Sequence, residues 1–446
     1  MTLASICILL VLSVYILKGS KRVALLALII GALFLTEFNE VRILGLNFFP
    51  TRVLEIFLLI RTLTRREWLA FKLNGIDKAV VWFYIYLTVV FLIRSKVGLM
   101  FQVGVAVDAL ILYFSCRALI ESPDDLRWLL RSFVFLLIPF VLALIVERVK
   151  GHSPLGILGW GLSGEWTRDS KVRCFGSLRN PSLLGTISVG FIPIFIGASF
   201  RRLNRNWAAL GIGLCFIIIW AANSGGPVGA TAFGFLGWCF WRFRTKMRQV
   251  RWGIVGFVVL MAVVMKAPIW YLVAHVSGTT GGNGWHRAFL MDISAQNIGK
   301  WWFAGMPLAD TAGWFPYILT TTNTADITNE FVLIGLTSGI GAMGLFILVL
   351  KRAFSLLGNA LQAVRHHSPA LVEDEYLLWG LGCMLAAHIV NWLGITYFDQ
   401  TSVFWFTQLA AISSLSDWYL NMRSESVQSE YEELSSEHGS QIEATA

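Results

Sequence analysis

The sequence predicts an all-α integral membrane protein, a polytopic bundle of about 12–13 transmembrane helices with a large loop on one face. Three observations lead there. Hydrophobic residues make up 56% of the 446 positions and charged residues only 14%. A soluble chain of this size carries roughly a quarter charged residues, so much of this apolar surface has to lie in lipid. The apolar residues fall into runs near membrane-spanning length, and the Lys and Arg residues cluster in the short stretches between them.

In order, the apolar runs cover 3–17, 23–36, 51–63, 79–93, 97–119, 126–146, 182–200, 207–222, 228–241, 252–272, 328–350, 374–396 and 401–420. The first has no basic leader and no A-x-A-like site after it, so no cleavable signal peptide is expected. The second and third fall short of the roughly 20 residues of a perpendicular span and suit a re-entrant or tilted pair. Basic clusters follow alternate runs: Lys18–Arg22, Arg61–Lys78, Arg117–Arg131, Arg201–Arg205, Arg242–Arg251 and Lys351–Arg365. Positive residues mark the cytoplasmic side, which leaves loops 37–50, 150–181, 223–227, 273–327 and 396–400 on the other, periplasmic face. The chain divides into a transmembrane domain, 1–421, and an acidic, Ser-rich cytoplasmic tail, 422–446, which has too little apolar content to fold alone and is expected to be disordered.

The net charge of +9 belongs to topology and gives no reason to expect nucleic acid. The six cysteines show no paired spacing, so neither a disulfide framework nor a zinc site is expected, and Cys174 reads as a plain small residue. Asp108, Glu55, Lys266, and the i, i+3 pair His388 and Asn391 lie within or at the ends of apolar runs. They either tie helices together or line a cavity. The long loop 273–327 carries Trp285, Trp301, Trp302, Trp314 and Tyr317, which suit either an interfacial aromatic belt or a platform for sugar rings. SGGPVG at 224–229 reads as a tight turn whose glycines can admit a lipid chain or a neighbouring backbone.

The chain centres on 171–193, where a basic loop runs into an apolar helix. Asn180 is placed to cap that helix and Pro181 to start it. Arginines beside a helix N-terminus can hold anionic oxygens, and Arg168, Arg173, Arg179 and Arg287 all fall on the periplasmic face. Guanidinium forks match a diphosphate. No P-loop, zinc motif or serine-hydrolase elbow is present, and GTTGGNG at 278–284 lacks the Lys-Ser/Thr of a nucleotide loop. A diphosphate on this face without a nucleotide site points to a lipid-linked sugar donor.

Three places resemble the O-antigen ligase and polymerase superfamily of membrane glycosyltransferases. Arg173-x-x-Gly176 with Asn180-Pro181-Ser182-Leu183-Leu184 resembles its R-x-x-G…N-P-N-x-L motif. His286-Arg287 with Asp292 and Gly305 resembles its large-loop arginine and following glycine. Thr328-Asn329 with Gly339-Ile340-Gly341 resembles its H-N…G-L-I-G signature. Together they span roughly 170–350. The resemblance implies metal-independent, cofactor-free transfer of a glycan from undecaprenyl diphosphate to a glycan, lipid or protein hydroxyl, in a bacterial inner membrane. It makes Arg173 and Arg287 diphosphate ligands; Arg179, Asn180 and Asn329 join them by position as substrate-binding candidates.

Two departures stand out. Ser182 replaces the second asparagine of N-P-N, and Thr328 replaces the histidine of H-N. A threonine hydroxyl is too weak a base to act alone near neutral pH. His286 is the first candidate replacement, with Asp326 and Glu330 next; otherwise arginines and positioning supply the rate, or the protein is inactive. Two other classes stay open: a transporter of a lipid-linked or anionic solute, and a catalytically inactive subunit of an envelope assembly.

Overall fold

The computed structural model describes residues 1–43, 46–94, 98–159, 167–168, 170–272, 284–314, 324–366 and 371–443, with side chains through Met422. The fold is all-α and has the character of a polytopic membrane protein. Its helices are α1 (Leu3–Lys18), α2 (Lys21–Phe34), α3 (Pro50–Thr64), α4 (Gly75–Arg94), α5 (Leu99–Leu119), α6 (Pro123–Lys150), α7 (Pro181–Ser199), α8 (Arg205–Ala222), α9 (Gly225–Cys239) and α10 (Met247–Val264). After these come α11 (Gly284–Gln296), α12 (Ile298–Trp301), α13 (Glu330–His366), α14 (Val372–Trp392) and α15 (Gln400–Glu443). Two short antiparallel hairpins, β1–β2 (41–43 and 46–48) and β3–β4 (167–168 and 171–172), lie in the loops.

Among the described residues, seven helical segments are long and apolar enough to cross a membrane, fewer than the 12–13 expected. The reason is length and punctuation. Helices α1, α2 and α3 have 16, 14 and 15 residues, or roughly 21–24 Å against a hydrocarbon core of about 30 Å. A tight helical turn at 240–246 joins α9 to α10, so the two form one continuous 40-residue segment. Helix α14 opens on Glu373, Asp374 and Glu375. The tail also differs from expectation: α15 continues to Glu443, so the backbone of 422–443 is helical. Extending an existing helix avoids the nucleation cost, and Glu-rich sequence has good helix propensity.

The expected long loop 273–327 contains helices α11 and α12. Residues 273–283, with Gly278, Gly281 and Gly282 of GTTGGNG, and 315–323, with Tyr317, lie outside the described residues, while Gly284, the last glycine of that run, opens α11. Two glycines of the motifs find a physical role here. Gly305 (φ 67°) and Gly339 (φ 83°) both sit in the left-handed region. Each lets one backbone approach another: Gly305 lies on Thr337–Ser338, and Gly339 on Trp302–Phe303. No side chain fits at either contact. The turn after α12 is thereby pinned to α13, with Ile340 N–H donating to Trp302 O (2.8 Å).

The basic clusters gather at one end of the bundle, where carboxylates meet them. Arg22 pairs with Asp125 (2.6 Å), Arg201 with Glu373 (3.1 Å), Arg61 with Glu67 (2.8 Å), and Arg127 with Asp374. Arg244 and Arg365 share Glu375. Of the polar residues in apolar runs, Asp108 takes both its oxygens to Arg52 Nε (3.0 and 3.1 Å), Glu55 is buried and Lys266 is exposed. His388 and Asn391 are buried in a polar network taken up below.

Candidate functional site

The opposite end collects the N-termini of α7, α9, α13 and α15 and the C-termini of α6, α8 and α14. Arg173 sits in the turn leading into α7, and that turn is tightly held. Cys174 N–H donates to Ala221 O (3.0 Å), while the Glu147 carboxylate at the end of α6 accepts from Phe175 N–H (2.7 Å) and Gly176 N–H (3.1 Å). Gly176 (φ 62°) has no room for a side chain, since a Cβ would lie 2.8 Å from the Phe140 ring. Asn180 caps α7, its Oδ1 accepting from Ser182 N–H (2.7 Å), and Pro181 occupies the first turn as expected. The Arg173 guanidinium points to Ala222 O (3.5 Å) and Ser182 Oγ (3.4 Å), and Ser182 Oγ bonds Ser224 Oγ (2.8 Å). The Asn-to-Ser departure thus links Arg173 to Ser224, the N-cap of α9.

Arg287, on α11, reaches the same place from the other side. A Cβ on Gly226, in the first turn of α9, would lie 3.3 Å from Arg287 Nη2. A Cβ on Gly394, just after α14, would lie 2.7 Å from its Cζ. The stretch 224–229, expected as a tight turn, is instead the N-cap and first turn of α9, and its bare Gly226 admits a guanidinium. Burial, and then the charge of Arg168, push both Arg173 and Arg287 down from the ordinary arginine value. Three like charges stand within reach of one another, and neither Arg168 nor Arg173 has a carboxylate partner among the described residues. Arginines beside helix N-termini are groups that can hold anionic oxygens.

Arg179 stands apart. Its Nε pairs with Asp399 (3.1 Å), its Nη2 donates to the Glu37 carbonyl (3.1 Å), and it lies over the Phe38 and Phe49 rings. Asn329 is buried and caps α13, its Oδ1 accepting from Val332 N–H (3.1 Å) and its amide donating to Leu393 O (3.4 Å).

The base candidates separate into two groups. His286 Nε2 lies 3.4 Å from the backbone carbonyl of Asp326, and the Asp326 side chain is exposed. Glu330, the first residue of α13, accepts from Tyr397 N–H (2.9 Å). Thr328 Oγ has no hydrogen-bond partner among the described residues. Of the aromatic residues, Trp301 is buried and donates to Ser294 O (2.8 Å), while Trp285 and Trp302 are exposed. Cys174 is buried, with its thiol pushed up to about 12 by burial.

An apolar groove runs from this cluster. A cavity of about 510 Å³ lies between α8 and α9, lined at one end by Arg168 and Ser224 and further along by Phe216, Trp220, Val228 and Phe235. Phe235 is ten residues along α9 from Gly225, roughly 15 Å at helical rise. Among the described residues, no group of three or more His, Cys, Asp or Glu side chains is placed to hold a metal ion.

Glu147, Gly394 and Tyr397 escape a sequence reading. Glu147 has one local signal, an acid at the end of an apolar run beside the basic Arg148. The other two act through residues far away in the chain and leave no local trace. A comparison with known protein families finds none that matches this chain, and a comparison with characterised proteins finds no significant relative.

Proposed function

We propose that this protein is a membrane glycosyltransferase of the O-antigen ligase and polymerase kind, acting on the periplasmic face of a bacterial inner membrane. It would move a glycan from an undecaprenyl-diphosphate-linked donor to an acceptor hydroxyl. The observation that carries this reading is the meeting of Arg168, Arg173 and Arg287 at the head of an apolar groove. A lipid diphosphate has those two parts, an anionic head and a greasy tail.

The chemistry follows from the placement. The acceptor hydroxyl oxygen attacks the anomeric carbon, and the bond from that carbon to the diphosphate oxygen breaks with its electron pair. The arginines stabilise the negative charge that grows on the departing diphosphate. A carboxylate or imidazole takes the hydroxyl proton. Glu330, held by Tyr397 N–H, and His286 beside Asp326 are the groups in reach of that role, and Thr328 has no basic group to offer.

The test uses the full chain in nanodiscs with a polyprenyl-diphosphate-linked glycan and a panel of hydroxyl acceptors, read by mass spectrometry. Glycan transfer with release of lipid diphosphate, lost in Arg287→Ala, is the expected result. Donor binding without turnover would favour the transporter or the inactive subunit, and failure to bind the donor would overturn the reading.

A further inference from the structure

Residues 393–399, between α14 and α15, form a short strap that touches Arg287 and the two residues at the start of α13, Asn329 and Glu330. Leu393 O accepts from Asn329. Gly394 lies against the Arg287 guanidinium. Tyr397 N–H donates to Glu330, and Asp399 pairs with Arg179. At the root of the strap, Gln400 Nε2 donates to Leu35 O and Ser177 O, both at 3.0 Å.

The strap is also anchored from below. Tyr397 Oη lies 2.6 Å from His388 Nδ1 and accepts from Asn391 Nδ2 (3.0 Å), and His388 Nε2 lies 2.7 Å from Gln408 Oε1. One proton arrangement satisfies the chain: Nε2–H donates to Gln408, so Nδ1 accepts from the tyrosine hydroxyl. His388 and Gln408 fit because Gly190 of α7 has no side chain; a Cβ there would lie 2.8 Å from His388 Nε2. The network is buried in the bundle, so it holds the strap from the rigid side of the site.

We propose that this strap is a positioning element: bare Gly394 seats the Arg287 guanidinium, Tyr397 holds Glu330, and the His388–Tyr397–Asn391 network fixes the distance between them. The proposal rests on the donor reading above. A methyl at 394 would sit 2.7 Å from Arg287 Cζ, 2.9 Å from Nη1 and 3.0 Å from Nε. Real side chains do not stay that close. The flexible arginine moves before the backbone does, so Gly394→Ala displaces the cation while leaving the fold in place. Losing the hydrogen bonds of a charged binding group costs about 10- to 100-fold in affinity.

The experiment measures the Kd of the full chain in nanodiscs for geranylgeranyl diphosphate, with Tm alongside. Gly394→Ala is expected to weaken binding about tenfold, as for the loss of one hydrogen bond to a charged group. The double variant Gly394→Ala/Arg287→Ala is expected to bind no worse than Arg287→Ala alone, because both changes remove the same interaction. Tyr397→Phe, which keeps the ring and removes the anchor, is expected to weaken binding by a smaller factor with the same non-additivity. Wild-type affinity in Gly394→Ala, or losses that multiply in the double variant, would overturn the positioning role. If Gly394→Ala does not fold, Tyr397→Phe decides alone, and unchanged affinity there overturns it. No binding by the unaltered protein sinks the donor reading, and the strap's role with it; binding without this coupling sinks the strap's role only.

Discussion

The two ends of the bundle use arginine in opposite ways. At one end Arg22, Arg127, Arg201, Arg244 and Arg365 each meet a carboxylate. At the other, Arg168 and Arg173 meet none among the described residues and face Arg287 across the N-termini of α7 and α9. The first arrangement is complete: charge is cancelled and helices are held in register, with little net energy to spare. The second is held together by the surrounding fold against its own repulsion, and an anion would relieve it. Arg179 shows that location alone does not decide. It sits at the second end yet behaves like the first, because Asp399 neutralises it. What separates Arg179 from Arg173 is Asp399, an acid that reaches the first and, among the described residues, not the second.

Arg287→Ala puts this contrast to its hardest test. It is expected to weaken lipid-diphosphate binding about 10- to 100-fold, the range for losing charge-assisted hydrogen bonds, with little change in Tm. Arg287→Lys should recover part of the loss, since an ammonium cannot form the planar fork. Affinity that survives in the alanine variant would erase the distinction between the ends. Arg173→Ala should cost about tenfold in the same titration.

Removing a neutralised arginine should read out differently. Arg127→Ala and Arg179→Ala are each expected to lower Tm by about 1–2 °C, in line with about 1 kcal/mol for a partly exposed pair. Their losses of affinity should be smaller than that of Arg173→Ala. An Arg179→Ala variant that binds as poorly as Arg173→Ala would move Arg179 into the anion site and break the comparison.

The last expected effect is a pH dependence at the site end, read in stability and not in binding. Burial, and then the charge of Asp399, push Glu37 up to about 8, against the pull of Thr51, Arg179 and Arg52. Burial pushes Asp399 up to about 6, against Arg179. Raised acids hold their protons in the folded state while the unfolded chain has released them, so stability falls as pH rises. The fall should run from about 4.5 to about 8 for Glu37. In Glu37→Gln, Tm should therefore gain on wild type between about pH 5 and about pH 8. A parallel pair of Tm curves would show that Glu37 does not hold its proton there.

Parts of the site are legible in residue order. The turn into α7 is one, because its signals are local: Asn180 before Pro181 before an apolar run makes a capped helix start, and the folded protein has that cap. The clustering of basic residues at one end is legible for the same reason, since alternate loops between spans must share a face. Helix count is less legible. Apolar content marks a run but does not say whether 14 residues span, tilt or merge with a neighbour.

Composition, capping and charge pattern act over a few neighbouring residues. They are therefore enough to fix the class of protein, the start of α7 and the set of arginines from which a site is drawn. Folding in three dimensions selects among those arginines, neutralising some and holding the others in place. Arg179 and Asp399 are 220 positions apart in the chain, and Arg287 and Gly394 more than 100. Whether a charge is cancelled depends on a few ångströms in space, and no periodicity or spacing along the chain encodes that distance.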